Sequence, residues 1–318
     1  MTQIPTTVFS GFLGSGKTTI ISHLIDELQA NGKQVIYIKN EIGNENIDSQ
    51  LLQGKHIQTK ELLNGCICCT LVGPFIAAID EIIASFEPDR IIIEASGAAD
   101  PAAIALMIDA NQKLQRDGVI AIIDVVNFEG YKDISQTARN QAAFTDLIVF
   151  NKIELADLAQ KQAVVGYVRE LNNHSPIVEA PRGIISSAVV FGTDRQELNE
   201  LLRSFSQEAS TPESSMHVHH AHADHLTVDG IDSVVVRFSS PPTKESLLQY
   251  LKQLPPPVFR VKGIIVLADG TPVVVDKVGA RSQLSSLPAG HILDPAHQAL
   301  VLIGFHVVEL EQSLQPSK

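Results

Sequence analysis

Residues Gly11-Phe12-Leu13-Gly14-Ser15-Gly16-Lys17-Thr18 match the pattern G-x-x-x-x-G-K-[ST] and stand between two runs of opposite periodicity. Before the loop, Thr6-Thr7-Val8-Phe9-Ser10 reads as a strand. After it, Ile20, Ile21, Leu24, Ile25 and Leu28 recur at helical spacing until Gly32 closes the run. A loop in this setting constrains the fold strongly. Its glycines let backbone N–H groups wrap phosphate oxygens, and the helix start that follows adds partial positive charge. Gly11, Gly14, Ser15, Gly16, Lys17, Thr18 and Thr19 are therefore the expected nucleotide-binding residues. Lys17 is expected to reach the β- and γ-phosphates, and the Thr18 hydroxyl to ligate magnesium.

The alternation continues down the chain. Residues 34–38, 90–95, 119–125 and 147–150 read as strands, and a helix is expected over about 71–86, with Val72, Ile76, Ile79, Ile83 and Phe86 on one face. Strands and helices in alternation imply an α/β fold, a mostly parallel sheet flanked by helices. Residues 206–230 change to Ser, Glu, Pro, His and Ala without apolar periodicity, which reads as a linker. Beyond it, strands at 233–238, 259–267, 271–276 and 300–308, a helix at 244–254 and a turn at Ala268-Asp269-Gly270-Thr271 make a smaller α+β domain. The expected organisation is a nucleotide-binding domain at 1–205, the linker at 206–230 and the second domain at 231–318.

A triphosphate site of this class also needs a carboxylate near magnesium and a backbone group near the γ-phosphate. Arg90-Ile91-Ile92-Ile93-Glu94 is an apolar strand ending in a carboxylate, followed by Ala95-Ser96-Gly97. Glu94 is expected to hold magnesium, directly or through water, and the Gly97 amide to reach the γ-phosphate. Asn151-Lys152-Ile153-Glu154 follows another strand and is similar to the guanine-reading motif Asn-Lys-x-Asp. Its acid accepts hydrogen bonds from the ring N–H and exocyclic amine of guanine. Here Glu154 stands one methylene farther out, and GTP is the expected nucleotide.

All three cysteines of the chain, Cys66, Cys68 and Cys69, fall in Gly65-Cys66-Ile67-Cys68-Cys69. Thiolates suit zinc, copper(I) and related soft ions, and this spacing lets neighbouring sulfurs face one ion. Three small buried side chains are the plainer reading. So short a cluster rarely completes four-coordination, and Glu41 is the best further ligand, ahead of Glu45. His217, His219, His220, His222 and His225, five of the eleven histidines, crowd the linker as an accessory metal-capturing run; a solvated passive linker is the alternative. The net charge of −12 argues against a general nucleic-acid binder, and no apolar run is long enough to span a bilayer. The amino terminus lacks a basic stretch followed by an apolar one, and clustered cysteines favour a reducing compartment, so the expected location is cytoplasmic. A homo-oligomer is compatible with the sequence.

Together these segments resemble the CobW-like branch of the metal-handling P-loop GTPases. The resemblance rests on Ser10 to Thr19, Asn40-Glu41, Gly65-Cys66-Ile67-Cys68-Cys69, Glu94-Ala95-Ser96-Gly97, Asn151-Lys152, the histidine-rich segment and Arg260-Val261-Lys262-Gly263. It implies a slow GTPase that binds a transition metal, zinc or cobalt, in its nucleotide-loaded form and delivers it to a client metalloprotein. By the resemblance, Cys66, Cys68 and Cys69 become the metal ligands, with Glu41 as a helper. Glu154, Ile42 and Ala95 depart from the family's usual residues. Two other readings follow from the residues alone: an ATP-dependent small-molecule kinase or ATPase with structural cysteines, and a passive histidine-rich metal buffer.

Overall fold

The computed structural model describes residues 3–39, 58–61, 72–96, 101–128, 144–192, 230–286 and 298–316. The chain divides into two compact units, Met1–Ser187 and Ala188–Lys318. The first unit runs β1 (Ile4–Ser10), α1 (Lys17–Ala30), β2 (Val35–Lys39), β3 (Gln58–Glu61), α2 (Val72–Phe86), β4 (Arg90–Glu94) and α3 (Pro101–Ala110). It continues with β5 (Leu114–Asp124), β6 (Leu147–Asn151), α4 (Leu158–Leu171) and β7 (Ile177–Ala180). Its seven strands lie in the order β3-β2-β4-β1-β5-β6-β7, and every neighbouring pair is parallel. Successive residues such as Val8 and Phe9, or Ile91 and Ile92, are fully buried. A strand covered on both faces reads as a continuous apolar run, as β4 does.

One core cluster joins Val8, Ile36, Ile38, Ile91 and Ile93 of the sheet to Phe75, Ile79 and Ile82 of α2 and Ile104 and Ile108 of α3. The buried stripe of α2 is therefore Phe75, Ile79 and Ile82. The expected stripe is wrong in part, because Ile76 and Phe86 are exposed. Apolar residues occur nearly all round α2, so spacing alone does not choose the face that meets the sheet.

β5 begins at Leu114, five residues before the expected start at Val119. The β1–β5 register passes from Thr6↔Arg116 to Thr7↔Gly118, which leaves Asp117 as an extra residue. Its carboxylate accepts from Arg90 Nη1 at 2.5 Å and from Thr7 Oγ1 at 3.3 Å, and Thr7 Oγ1 accepts in turn from Arg90 at 3.1 Å. All three side chains are buried. This polar triangle ties together β1, β4 and β5, the three central strands.

The second unit opens within the short helix α5 (Ser187–Phe191) and contains β8 (Ile231–Val236), α6 (Lys244–Gln253), β9 (Val258–Val266), β10 (Pro272–Val278), β11 (Arg281–Ser286) and β12 (Ala299–Phe305). The sheet order is β11-β10-β9-β12-β8, antiparallel throughout. Leu247 and Leu251 of α6 pack with Val236, Val261, Val275 and Leu302 of the sheet. The β9–β10 hairpin turns at the expected residues: Gly270 has φ 83°, and Thr271 N donates to Asp269 Oδ1 at 2.9 Å. β11 was not expected, since Arg-Ser-Gln-Leu-Ser-Ser carries too little apolar signal for an edge strand.

Replacing Asp117 by Ala leaves the buried Arg90 guanidinium without its carboxylate. Breaking such a pair costs about 3–5 kcal/mol. Chemical denaturation of Asp117→Ala is expected to show that loss; a change below about 1 kcal/mol, the range of an exposed pair, would mean the triangle is not holding the strands.

Candidate nucleotide site

Because the sheet is parallel, the carboxyl ends of β1, β2, β4, β5, β6 and β7 lie at one edge, where open α/β sheets place their ligands. The loop from Gly11 to Gly16 leaves β1 there and enters α1. Gly11 has φ 140° and Gly16 φ 94°, and neither tolerates a side chain: a Cβ would fall 2.3 Å from Ile122 O and 2.2 Å from Asn151 Nδ2, respectively. Lys17 and Thr18, the first residues of α1, are buried. Lys17 Nζ donates to the carbonyls of Gly11 at 2.9 Å and Phe12 at 3.0 Å, so its charge lies across the loop. The Ser15 hydroxyl is buried and has no hydrogen-bond partner among the described residues. Left-handed glycines, a lysine charge, a buried hydroxyl and a helix start form a donor-rich cradle that fits a triphosphate.

On one side of the loop stands Glu94, at the end of β4 and 5% exposed. Thr18 Oγ1 lies 3.2 Å from both carboxylate oxygens, and Tyr37 Oη donates to Oε2 at 2.5 Å. Burial pushes the Glu94 carboxyl above its ordinary range, opposed by the Tyr37 hydrogen bond, the Lys17 and Lys39 charges and the Thr18 hydrogen bond. A threonine hydroxyl beside a carboxylate is the hard-oxygen donor set that magnesium takes in this class of site. These residues fit the ion. Sequence reasoning did not find Tyr37, whose relation to Glu94 depends on register: Tyr37 pairs with Ile92 and Lys39 with Glu94.

On the other side, Asn151 ends β6. Its Nδ2 donates to Ser15 O at 2.8 Å, and its Oδ1 accepts from Lys152 N at 2.9 Å. Lys152 is left-handed at φ 59°. Its Nζ reaches back to the loop, donating to Gly14 O at 2.8 Å, and pairs with Asp124 Oδ2 at 2.7 Å. Asp124 ends β5, directly opposite Asn151 in register. It also accepts from the N–H groups of Val126 and Asn127 and from Asn127 Nδ2. Burial opposes its ionisation, but the Asn127 and Lys152 hydrogen bonds and the Lys152 charge outweigh burial and hold its carboxyl below the ordinary range. Asp124 was missed although it gives the same signal as Glu94, a carboxylate closing an apolar strand. Glu154 lies in the short 3₁₀ turn Ile153–Leu155 beyond Lys152 and is exposed.

The structure thus brings Lys17, Thr18 and Glu94 together on one side of the loop, and Ser15, Gly16, Asn151 and Lys152 on the other. Thr19 follows at the start of α1, exposed. Gly97, Glu41, Cys66, Cys68, Cys69, His217, His219, His220, His222 and His225 lie outside the described residues.

Removing the charge of Asp124 releases Lys152 from one of its two anchors, so Asp124→Asn is expected to weaken nucleoside triphosphate binding by about tenfold, the worth of one charge-assisted hydrogen bond. Equilibrium titration with a fluorescent triphosphate measures it, and unchanged affinity would count Asp124 as a loop cap only. Tyr37→Phe is expected to raise the magnesium concentration needed for half-maximal triphosphate affinity by a few-fold to about tenfold, one neutral hydrogen bond's range; magnesium titration at fixed nucleotide reads it directly.

Comparison with known proteins identifies the family. Residues 5–179 match the model described as CobW/HypB/UreG, nucleotide-binding domain, and residues 231–316 match the cobalamin synthesis protein cobW C-terminal domain. Zinc chaperone YjiA of Escherichia coli is 32% identical over 209 residues, a match spanning 63% of this chain and 64% of that protein's length. Zinc chaperone CobW of a Sinorhizobium species is 28% identical over 341 residues, covering 96% of this chain and 93% of that one. The crystal structure of Zn(II)-bound YjiA GTPase from E. coli overlays with a TM-score of 0.47 at 21% identity, covering 98% and 97% of the two chains. The chain is a member of the CobW/HypB/UreG family, with a nucleotide-binding domain followed by a CobW carboxy-terminal domain.

Proposed function

We propose that this protein is a GTP-binding, slowly GTP-hydrolysing metallochaperone that carries zinc, with cobalt as the second choice, and delivers it to a client metalloprotein in the cytoplasm. The observation that carries this reading is the convergence on one sheet edge of the Gly11–Thr18 loop, the Thr18–Glu94 pair and the Asn151-Lys152 dipeptide. Lys17 and the loop amides hold the phosphates, and Thr18 with Glu94 holds magnesium. Bound there, magnesium would neutralise charge on the β- and γ-phosphates. Asn151 and Lys152 fix the loop against the base side, with Glu154 at its rim. The zinc-chaperone names of the relatives support zinc as cargo.

Cargo binding is assigned to the thiolates of Cys66, Cys68 and Cys69, with Glu41 completing the set and His217, His219, His220, His222 and His225 acting as accessory capture. Soft sulfur ligands suit zinc and exclude magnesium and calcium from this set. Glu41 follows β2, the strand whose Tyr37 grips Glu94, so the residue that holds the proposed magnesium ligand and the first cargo ligand belong to one continuous stretch of chain. Gly97 supplies the amide that senses the γ-phosphate. GTP loading closes the thiolate set and hydrolysis opens it.

Zinc affinity measured by competition with a chromogenic chelator, in saturating non-hydrolysable GTP analogue and then in GDP, tests the coupling. The expected result is at least about tenfold tighter binding with the analogue, a coupling of ~1.4 kcal/mol. That difference should vanish in the Cys66→Ala/Cys68→Ala/Cys69→Ala variant. Equal affinities in the two nucleotide states would reject the switch, and loss of tight zinc on deleting residues 217–225 alone would favour the passive buffer.

A further inference from the structure

The exposed acid at the rim of the base site is already engaged. Glu154 Oε2 accepts a hydrogen bond from the backbone N–H of Arg182 at 3.0 Å. That bond, followed by one from its own backbone N–H, holds the Glu154 carboxyl below the ordinary carboxylate range. Arg182 lies in the 3₁₀ turn Pro181–Gly183 that leaves β7, the strand beside β6. Both turns are sharply bent, with Lys152 at φ 59° and Arg182 at φ 56°. The second turn is itself seated on α1, since His23 Nδ1 and Gly183 O lie 3.0 Å apart. The turns after β6 and β7 are therefore joined by one side chain.

Reading guanine through a carboxylate requires both oxygens to face the base, one toward N1–H and one toward the exocyclic amine. A carboxylate with one oxygen committed to the Arg182 N–H does not present that fork. Its negative charge still favours a ring N1–H over the N1 lone pair of adenine. Guanine and hypoxanthine share O6 and N1–H and differ only in the exocyclic amine, the group that loses its partner when the fork is lost. We infer that Glu154 braces the turns after β6 and β7 rather than reading the base edge, so that the site takes 6-oxopurine triphosphates as a class and accepts inosine triphosphate about as well as GTP. This rests on the reading that the Gly11–Thr18 loop binds a guanine nucleotide.

Equilibrium binding of GTP, ITP, XTP and ATP to the full-length protein with magnesium tests it. For the wild type, GTP and ITP are expected to agree within about threefold, with ATP weaker by about tenfold or more, roughly 1.4 kcal/mol. Glu154→Asp pulls the carboxylate back from Arg182 toward the base and should open a GTP preference over ITP of about tenfold, the worth of one recovered hydrogen bond. Glu154→Gln should raise XTP binding by no more than about threefold, because it removes the charge but exchanges no hydrogen bond to the base. A wild-type preference for GTP over ITP of tenfold or more, or a gain of XTP binding of tenfold or more in Glu154→Gln, would show that the carboxylate reads the base edge and overturn the inference. Either result leaves guanine-nucleotide binding intact. Wild-type ATP binding as tight as GTP would instead remove the guanine-nucleotide reading itself.

Discussion

Parallel pairing of β1 between β4 and β5 aligns Phe9 with Glu94 and Ser10 with Ala121, and the site depends on that alignment. A slip of one residue in either pair would turn the strand-end carboxylates to the opposite face, because side chains alternate along a strand. The register is fixed from below by the Arg90–Asp117–Thr7 triangle and along its length by the apolar cluster around Val8, Ile91 and Ile93. Both groups lie along the strands before the loop begins, yet together they decide which atoms meet at its mouth. Burial of the triangle is costly unless all its members are paired, so it specifies one register rather than merely adding stability.

Charge at the sheet edge is arranged before any ligand is considered. Lys17 is anchored on two loop carbonyls and Lys152 on one carbonyl and one carboxylate, so both ammonium groups occupy defined positions. Glu94 has lost much of its hydration and is held by Tyr37 and Thr18. Groups fixed in this way need little reorganisation when phosphate charge and a cation arrive, which is how a site built mostly of loop backbone gains selectivity for a triphosphate.

The loop, α1 with its buried Ile20, Ile21, Leu24 and Ile25, and the strand ends at Glu94 and Asn151 were legible in the sequence, because each combines a local pattern with a specific chemical need. What escaped detection depended on partners distant in the chain. Asp117 stands before the expected strand, and only Arg90 beside it reveals its part in the sheet. Tyr37 looks like an ordinary buried aromatic until register sets it on the same face as Glu94, and Asp124 gains its role only from Lys152, 28 residues later. The stripe on α2 was misjudged for the same reason, since a helix apolar on several sides has its inward face chosen by the sheet. Edge strands β3 and β11 carry polar sequences, and only their pairing with β2 and β10 makes them strands.

The two sides of the loop differ in what they can report about a bound nucleotide. Asn151, Lys152 and Asp124 hold Ser15, Gly14 and one another. Glu94, Thr18 and Tyr37 form the proposed magnesium site, where a terminal phosphate and its cation would change the local charge most. In the proposed cycle, therefore, the difference between GTP and GDP leaves the base side unmoved and is registered at Glu94. From there the path is short: one phenol hydrogen bond reaches β2, and two residues after Lys39 the chain arrives at Glu41. The phenol of Tyr37 thus joins the carboxylate beside Thr18 to the strand leading toward Glu41, which makes β2 the element through which a change at Glu94 would pass in the proposed cycle.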